Sequence, residues 1–142
     1  MKVSVPFEGG CVCGAVRYAC DVAPTSMFNC HCRDCQRLGG SAYAAVIVVP
    51  LSALCFSRGA PKRFATTRRN GSANLRGFCS ECGSRLTIGE DPGRDIVGVL
   101  AASLDDPSWF QPTANIFVSH AQPWDVLDPA LFHYDYYAKS GK

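Results

Sequence analysis

An alternation of apolar and polar residues runs through much of the chain, and this period of two is typical of β-strands. Residues 3–7 alternate and lead into Gly9 and Gly10, which predicts a strand that ends at a glycine turn. Residues 15–20 alternate in the same way and predict a second strand. The unbroken apolar run at 42–49 predicts a central strand that is buried on both faces.

A β-hairpin is predicted in the middle of the chain. Asn70 and Gly71 separate residues 62–69 from residues 72–78, and an Asn-Gly pair supplies the positive φ that a two-residue type I′ turn requires. Further short strands are predicted at 84–88, 95–101 and 116–118.

One helix and one domain complete the predicted architecture. The helix candidate is 34–38, which Gly39 and Gly40 would stop. A chain of 142 residues suits a single core, so we expect one domain over 1–142, with its core at about 5–127 and a C-terminal tail after it. The expected fold class is a small, mainly β domain with little helix.

Composition places the chain among globular proteins, because 47% of residues are hydrophobic and only 18% are charged. The first ten residues contain no apolar segment of the kind found in signal peptides. The longest apolar stretch, 42–56, is interrupted by Pro50 and Ser52 and is too short for a membrane span. We therefore expect a cytoplasmic protein that makes no membrane contact.

The net charge of +2 conceals an asymmetry along the chain. Residues 36–80 carry seven bases and no acid, whereas residues 81–142 carry four bases and nine acids. The middle segment could bind an anionic small molecule or nucleic acid. The alternative is a solvated hairpin face that the acidic last third of the chain neutralises.

Cysteine is the most informative residue type. The chain has nine cysteines, an odd number and a smaller share than the ~8–10% typical of disulfide scaffolds. Without a secretory signal, this favours metal binding over disulfides. Cys20 and Cys55 stand alone, and we expect both to be buried as small apolar side chains. The other seven form three clusters: Cys11 and Cys13; Cys30, Cys32 and Cys35; Cys79 and Cys82.

Cys79 and Cys82, followed by Gly83, have the spacing of a zinc knuckle, although Cys-x-x-Cys also occurs in redox motifs. If the three cysteines at 30–35 act together, the remaining partner for the knuckle is the pair Cys11 and Cys13. These four would form a closed structural zinc site that joins two distant parts of the chain.

Cys30, Cys32 and Cys35 offer three thiolates within six residues, so one ion could be held with a coordination position open. An ion with three thiolate ligands is a weak Lewis acid but activates a bound thiolate, which favours sulfur chemistry over hydrolysis. His31 lies between two ligands and on an extended segment would point away from them. The alternative is a second closed site, completed by His31, Cys55 or another side chain.

Three stretches resemble the glutathione-dependent formaldehyde-activating enzyme family in order, spacing and accompanying Gly, Tyr and Phe residues. They are 8–18 (EGGCVCGAVRY), 30–37 (CHCRDCQR) and 76–84 (RGFCSECGS), and the similarity extends through 103–107 and Pro123-Trp124. One departure is visible. Family members often carry a histidine shortly before an aromatic strand near the C-terminus, and residues 112–117 contain none.

The resemblance implies a β-tent of antiparallel sheets with two zinc ions per chain. It implies formation of S-hydroxymethylglutathione from formaldehyde and glutathione, which is classed as a carbon–sulfur lyase reaction in the reverse direction. The implied structural zinc ligands are Cys11, Cys13, Cys79 and Cys82, and the implied ligands of the catalytic-type zinc are Cys30, Cys32 and Cys35.

Three functions compete. The first is an enzyme that handles an adduct of glutathione, or a similar small thiol, with a small carbonyl such as formaldehyde; Arg68, Arg69 and Arg76 would pair with the thiol's carboxylates. The second is a zinc-stabilised binding module that presents residues 58–76 to nucleic acid or an acidic protein, although this stretch lacks the interleaved aromatics of single-strand platforms. The third, a methionine sulfoxide reductase of the B type, would need a reactive cysteine outside the metal sites.

Overall fold

The computed structural model describes residues 2–138, which form eleven strands and one α-helix. In chain order these are β1 (Phe7–Gly10), β2 (Arg17–Cys20), β3 (Ser26–Cys30), α1 (Arg33–Gly39), β4 (Ala44–Pro50), β5 (Leu54–Arg58), β6 (Lys62–Thr67), β7 (Ala73–Phe78), β8 (Arg85–Ile88), β9 (Ile96–Leu100), β10 (Ala114–Ile116) and β11 (Phe132–His133). The predicted fold class, mainly β with little helix, is confirmed. No helix within residues 2–138 is long and apolar enough to cross a membrane.

The strands form two sheets. The smaller has the order β1-β2-β5, and the larger has the order β11-β10-β3-β4-β9-β8-β7-β6. Neighbouring strands are antiparallel except at one end of the larger sheet, where β10 runs parallel to both β3 and β11. The wholly antiparallel arrangement that the family resemblance implies therefore holds for most of the fold. A parallel pair needs a long crossover, and residues 31–113 provide it between β3 and β10.

The main core contains residues from both sheets and includes Tyr18 of the smaller sheet. Ile47 and Val49 of β4 and Val99 of β9 are completely buried in it. Since successive side chains on a strand point to opposite faces, Val46 and Val48 lie on the other face of the larger sheet. The predicted central position of β4 is confirmed, but its second face is less completely covered, because Val48 is only half-buried.

The predicted glycine turn at Gly9 is wrong, because Gly9 and Gly10 lie inside β1. Gly9 pairs with Tyr18 across the smaller sheet, and a Cβ atom on Gly9 would lie 2.3 Å from the Tyr18 hydroxyl oxygen. That hydroxyl is 2.6 Å from Ser103 Oγ. The glycine allows close packing here and does not serve a turn.

The predicted hairpin is confirmed as β6 and β7, but its turn differs from the prediction. The Arg68 N–H donates to the Ser72 carbonyl at 2.8 Å, which leaves a three-residue loop instead of two residues. Gly71 has a φ of 87°, whereas Asn70 keeps a negative φ. This is the usual three-residue hairpin loop, in which only the last position needs the left-handed conformation.

The remaining predictions vary in accuracy. The predicted helix is confirmed as α1, which ends where Gly40 adopts a φ of 71°. The strand predicted at 116–118 is wrong after Ile116, because Phe117 has a φ of 57° and leads into a 3-10 helix at Val118–His120. Strands β3, β5 and β11 were not predicted. The strands predicted at 15–20, 42–49, 84–88 and 95–101 are confirmed as β2, β4, β8 and β9, with ends shifted by at most two residues.

The segment assigned to a C-terminal tail packs against β10 and the residues after it. The Phe132 N–H donates to the Thr113 carbonyl at 3.1 Å, and the Tyr134 N–H donates to the Asn115 carbonyl at 3.0 Å. The division of the chain into a core and a tail stays a prediction.

Candidate metal centres and the adjoining cavity

Two separate turns bring the first group of cysteines together. Cys11 and Cys13 lie in the turn after β1, and Cys79 and Cys82 lie in the turn after β7. Their four sulfur atoms all lie within 4.8 Å of one another. The Sγ atoms of Cys11 and Cys13 are 3.5 Å apart, and those of Cys13 and Cys79 are 3.7 Å apart. The group predicted from spacing is therefore assembled in the fold.

Backbone and hydroxyl groups support the sulfurs of this group. The Val16 N–H donates to Cys11 Sγ at 3.2 Å, and the Val12 N–H donates to Ser84 Oγ at 3.0 Å, which links the two turns. Ser84 Oγ also lies 3.2 Å from Cys82 Sγ. Hydrogen bonds from Ser84 lower the pKa of the Cys82 thiol to about 5. In the same group a backbone hydrogen bond with Ala15 is outweighed by the neighbouring thiols, which raise the pKa of Cys13 to about 12.

The second group forms where β3 meets α1. Cys30 is the last residue of β3, Cys32 is the N-cap of α1, and Cys35 lies in its first turn. Cys32 Sγ accepts the Cys35 N–H at 3.2 Å, as a capping side chain does. The three sulfurs all lie within 4.8 Å of one another, and Cys30 and Cys35 are buried.

No fourth His, Cys, Asp or Glu within residues 2–138 joins this group of three. Cys55, one proposed completing ligand, is exposed on β5 in the other sheet. His31, another, points away from the cysteines as predicted. The structure therefore does not assemble the closed alternative.

His31 instead joins the β3–α1 junction to the later part of the chain. Its side chain is 1% exposed, with Nε2 2.9 Å from Asn115 Oδ1 and Nδ1 3.1 Å from Asp125 Oδ2. Asn115 lies in residues 112–117, the stretch in which family members often carry a histidine and this chain has none. The Gln36 side-chain amide donates to the His31 carbonyl at 2.6 Å and to the His120 carbonyl at 3.0 Å. No local pattern predicts the contacts of His31 with Asn115 and of Gln36 with His120, because each joins residues 84 positions apart.

A cavity of about 1080 Å³ lies against the three-cysteine group. Cys30, Cys32 and Cys35 all line it, and its floor is the face of the larger sheet that points away from the main core. Five arginines also line it: Arg33, Arg68, Arg69, Arg76 and Arg94. The three arginines predicted as substrate contacts are among them, whereas Arg33 and Arg94 were missed.

Arg76 is the arginine closest to the cysteines. It is 6% exposed, its Nη1 lies 3.6 Å from Cys35 Sγ, and its Nε donates to Thr66 Oγ1 at 2.9 Å. Hydrogen bonds from Cys30 and Cys35, together with the charge of Arg76, lower the pKa of Cys32. Hydrogen bonds with Cys32 and Cys35, together with burial, raise the pKa of the Cys30 thiol. Arg76 therefore places a buried positive charge beside the thiols of this group.

Arg68 and Arg69 differ from Arg76 in their contacts. Arg68 forms an ion pair with Asp91, which also accepts the Leu75 N–H at 2.7 Å. Although burial opposes it, these two hydrogen bonds lower the pKa of Asp91. The guanidinium of Arg69 lies 3.5 Å from the ring centroid of Tyr136, a cation–π contact. Within residues 2–138 no carboxylate pairs with Arg69, so its guanidinium is better placed than that of Arg68 to meet a substrate anion.

The basic segment is partly neutralised within the fold. Arg63 Nη2 lies 2.8 Å from Glu90 Oε2, and Arg68 pairs with Asp91, so two acids from the last third of the chain face the hairpin. Arg76 is buried. These contacts remove three of the basic groups that a nucleic-acid surface on residues 58–76 would need.

The two isolated cysteines behave differently from each other. Cys20 is 1% exposed as predicted, and burial raises the pKa of its thiol. The prediction that Cys55 is buried is wrong. Cys55 follows Leu54, whose side chain is buried, and the alternation of the strand turns the next side chain outward. Neither lies in a group of potential metal ligands within the described residues.

Comparison with known proteins agrees with this geometry. The profile described as glutathione-dependent formaldehyde-activating enzyme matches residues 6–120, a range that holds all seven clustered cysteines. Among solved structures, the crystal structure of a Rhodobacter sphaeroides protein, a structural-genomics target, is similar with a TM-score of 0.54. The two sequences are 26% identical over 69% of this chain and 87% of that chain. The chain belongs to the glutathione-dependent formaldehyde-activating enzyme family.

Proposed function

We propose that this protein is a zinc-dependent enzyme of the carbon–sulfur lyase type, which handles the adduct of glutathione, or a similar small thiol, with a small carbonyl such as formaldehyde. The observation that carries the proposal is the placement of three clustered cysteines at an arginine-lined cavity. Family membership supports glutathione and formaldehyde as the reactants.

The residues present fit zinc at both cysteine groups. Sulfur is a preferred zinc donor, and two ligands about 2.3 Å from one tetrahedral ion stand roughly 3.8 Å apart. The Sγ separations of 3.5 and 3.7 Å in the four-cysteine group are close to this value. We assign a structural zinc to the four cysteines and a second zinc with an open position to the three. Zinc held by Cys30, Cys32 and Cys35 would supply a position for a substrate thiolate and would lower the pKa of the corresponding thiol.

The chain's own residues would bind and orient the thiol. Arg76, with its guanidinium beside Cys35, favours negative charge on sulfur at this end of the cavity. Arg69 would pair with a carboxylate of glutathione, whereas Arg68 already pairs with Asp91. In the reaction the thiolate sulfur bonds to the carbonyl carbon, the carbonyl π electrons move to oxygen, and the oxygen takes a proton from solvent.

The test compares Cys35→Ser with the matched control Cys55→Ser, an exposed cysteine outside both groups. Exchange of formaldehyde with its glutathione adduct would be followed by NMR, with zinc per chain measured before and after glutathione is added. We expect Cys35→Ser to lose catalysis and one zinc while keeping its fold, and Cys55→Ser to match the native chain. Unchanged catalysis in a folded Cys35→Ser variant would refute the proposal.

We also propose that the protein works in the reducing cytoplasm. All nine cysteines are free, and the proposed sites need reduced thiols. The binding-module alternative is disfavoured by the neutralised basic segment. Nucleic-acid binding that weakens steeply as the salt concentration rises would support the binding-module alternative.

A further inference from the structure

The cavity is larger than a formaldehyde adduct requires. Its volume of about 1080 Å³ slightly exceeds the range of pockets that enclose drug-sized ligands, roughly 300–1,000 Å³. Formaldehyde adds one carbon to the thiol. Space therefore remains for a larger carbonyl compound.

The floor of the cavity is apolar and continuous with the cysteine group. Phe28 on β3 pairs in register with Val46 on β4, and Val48 pairs with Gly98 on β9. All four line the cavity, as does Cys30, two residues beyond Phe28 on the same strand. From Cys30 to Ser26 this floor extends roughly 13 Å, at about 3.3 Å per residue.

Gly98 keeps the floor open. A Cβ atom on Gly98 would lie only 3.0 Å from Val46 Cγ1, so even an alanine side chain would crowd the floor at this position. Gly98 itself contributes no side chain to the cavity.

Aromatic residues from the C-terminal segment form a wall of the same cavity. Phe132 and Tyr137 line it and are 69% and 50% exposed, respectively. Both lie beyond residue 120, where the family match ends. Exposed apolar side chains gathered around a concave site are typical of a ligand groove.

Charge restricts what this groove accepts. Five arginines line the cavity, and two of them, Arg68 and Arg94, share the carboxylate of Asp91. Asp34 is the single acid among the lining residues in the described range, so the arginines are in excess. A ligand with net negative charge and a hydrocarbon group fits this combination. The arginines and cysteines lie in the same cavity as the apolar floor, so one ligand can reach both.

We propose that the carbonyl substrate is an aliphatic or aromatic aldehyde larger than formaldehyde, whose hydrocarbon group lies on the floor formed by Phe28, Val46, Val48 and Gly98. This inference rests on the proposed thiol chemistry at the three cysteines. The reaction is the addition of the thiol to the aldehyde. A carbon–sulfur bond forms and the carbonyl π bond breaks. The thiol loses its proton, the former carbonyl oxygen gains one to become a hydroxyl, and nothing is oxidised or reduced.

The first experiment measures binding of S-methyl-, S-butyl- and S-hexylglutathione by calorimetry, since these stable thioethers carry alkyl groups of increasing length. We expect affinity to rise by about fourfold for each fully buried methylene, equivalent to about 0.8 kcal/mol. Equal affinity for all three compounds would overturn the proposal. Tight binding of hexanoate with no gain from the glutathione part would also overturn it, because the groove would then hold a free fatty acid.

The second experiment uses Val48→Trp, which fills the floor, with Val22→Trp as a matched control at an exposed position outside the cavity. We expect the S-hexyl to S-methyl affinity ratio to fall at least tenfold in Val48→Trp and to stay at the native value in Val22→Trp. Phe132→Ala, an exposed wall position, tests the same ratio if Val48→Trp does not fold.

Catalysis separates this inference from the proposed function. Rates with glutathione would be compared for formaldehyde and hexanal. Catalysis of formaldehyde addition without any preference for hexanal would overturn the inference and leave the proposed function intact. A chain-length effect on binding without catalysis of either addition would refute the proposed function instead.

Discussion

Cys79→Ser should be the most destabilising single change at the proposed metal sites. Cys79 is 1% exposed and lies 66 residues from Cys13 in the same cluster. Tying two points that far apart restricts the unfolded chain, and a cross-link over such a loop contributes about 4 kcal/mol. A metal held by four sulfurs joins the same two points.

The expected loss is therefore about 4 kcal/mol, a large part of the ~5–15 kcal/mol that stabilises a typical domain. For a chain of this size that corresponds to a fall in Tm of roughly 12–16 °C. Thermal unfolding followed by circular dichroism measures the fall, and elemental analysis should show zinc dropping from two ions per chain to one. Cys35→Ser should cost less, since its group lies within a short stretch of chain and closes no long loop.

Cys55→Ser is the control, because it makes the same chemical change at an exposed cysteine outside both groups. Its Tm should stay within about 1 °C of the native value, as expected for a surface substitution. A Cys79→Ser variant that keeps the native Tm and both zinc ions would refute the reasoning. A similar loss in Cys55→Ser would show that the effect does not come from the metal site.

Three further predictions concern other parts of the fold. Arg76→Gln should lower kcat/KM for thiol addition by about 10–100-fold, because the variant keeps a polar group but loses the charge beside Cys35. Asp91→Asn should lower the free energy of unfolding at pH 7 by about 1.5–3 kcal/mol, because Arg68 loses its carboxylate; urea titration measures it. Trp109→Ala, 2% exposed with its ring centroid 5.3 Å from that of Phe7, should cost about 3–5 kcal/mol in the same assay.

The Asp91 prediction also has a pH dependence with a definite sign. The folded-state pKa of Asp91 lies below its ordinary value of 3.8. Its contribution is therefore present above about pH 4 and is lost as pH falls through the lower, folded pKa. The native chain and Asp91→Asn should converge in stability in strong acid, and a difference that persisted there would contradict the ion-pair explanation. For Arg76→Gln, unchanged kcat/KM in a folded variant would remove Arg76 from the proposed mechanism.

Local features were predicted well because they depend on residues close in sequence. The three cysteines at 30–35 lie on one strand end and the first turn of α1, so their spacing alone brings their sulfurs together. Helix α1 and the β6–β7 hairpin likewise carry their own stop and turn residues. The β6–β7 loop was mispredicted by one residue because strand pairing, not the Asn-Gly pair alone, sets the register.

Features that join distant segments were not predictable in the same way. Arg68 pairs with Asp91 because the loop after β8 lies beside the hairpin, an arrangement that no local pattern specifies. The contact of His31 with Asn115 depends on β10 lying parallel to β3, and its contact with Asp125 depends on a turn after β10. Cys55 was mispredicted because its apolar neighbours indicate a buried strand, whereas only the pairing of β5 decides which side chains face outward.

The sequence by itself indicated where metal ions could bind, since seven cysteines at chelating spacings offer soft thiolate ligands. The mainly β fold also followed from periodicity, because side-chain alternation is a local property of strands. The tertiary structure decided that the outer face of the larger sheet, the arginines and the C-terminal aromatics enclose one cavity beside three of those cysteines. A cavity is formed by residues brought together from many strands, so its shape and charge depend on sheet order and register, which no short stretch of sequence contains.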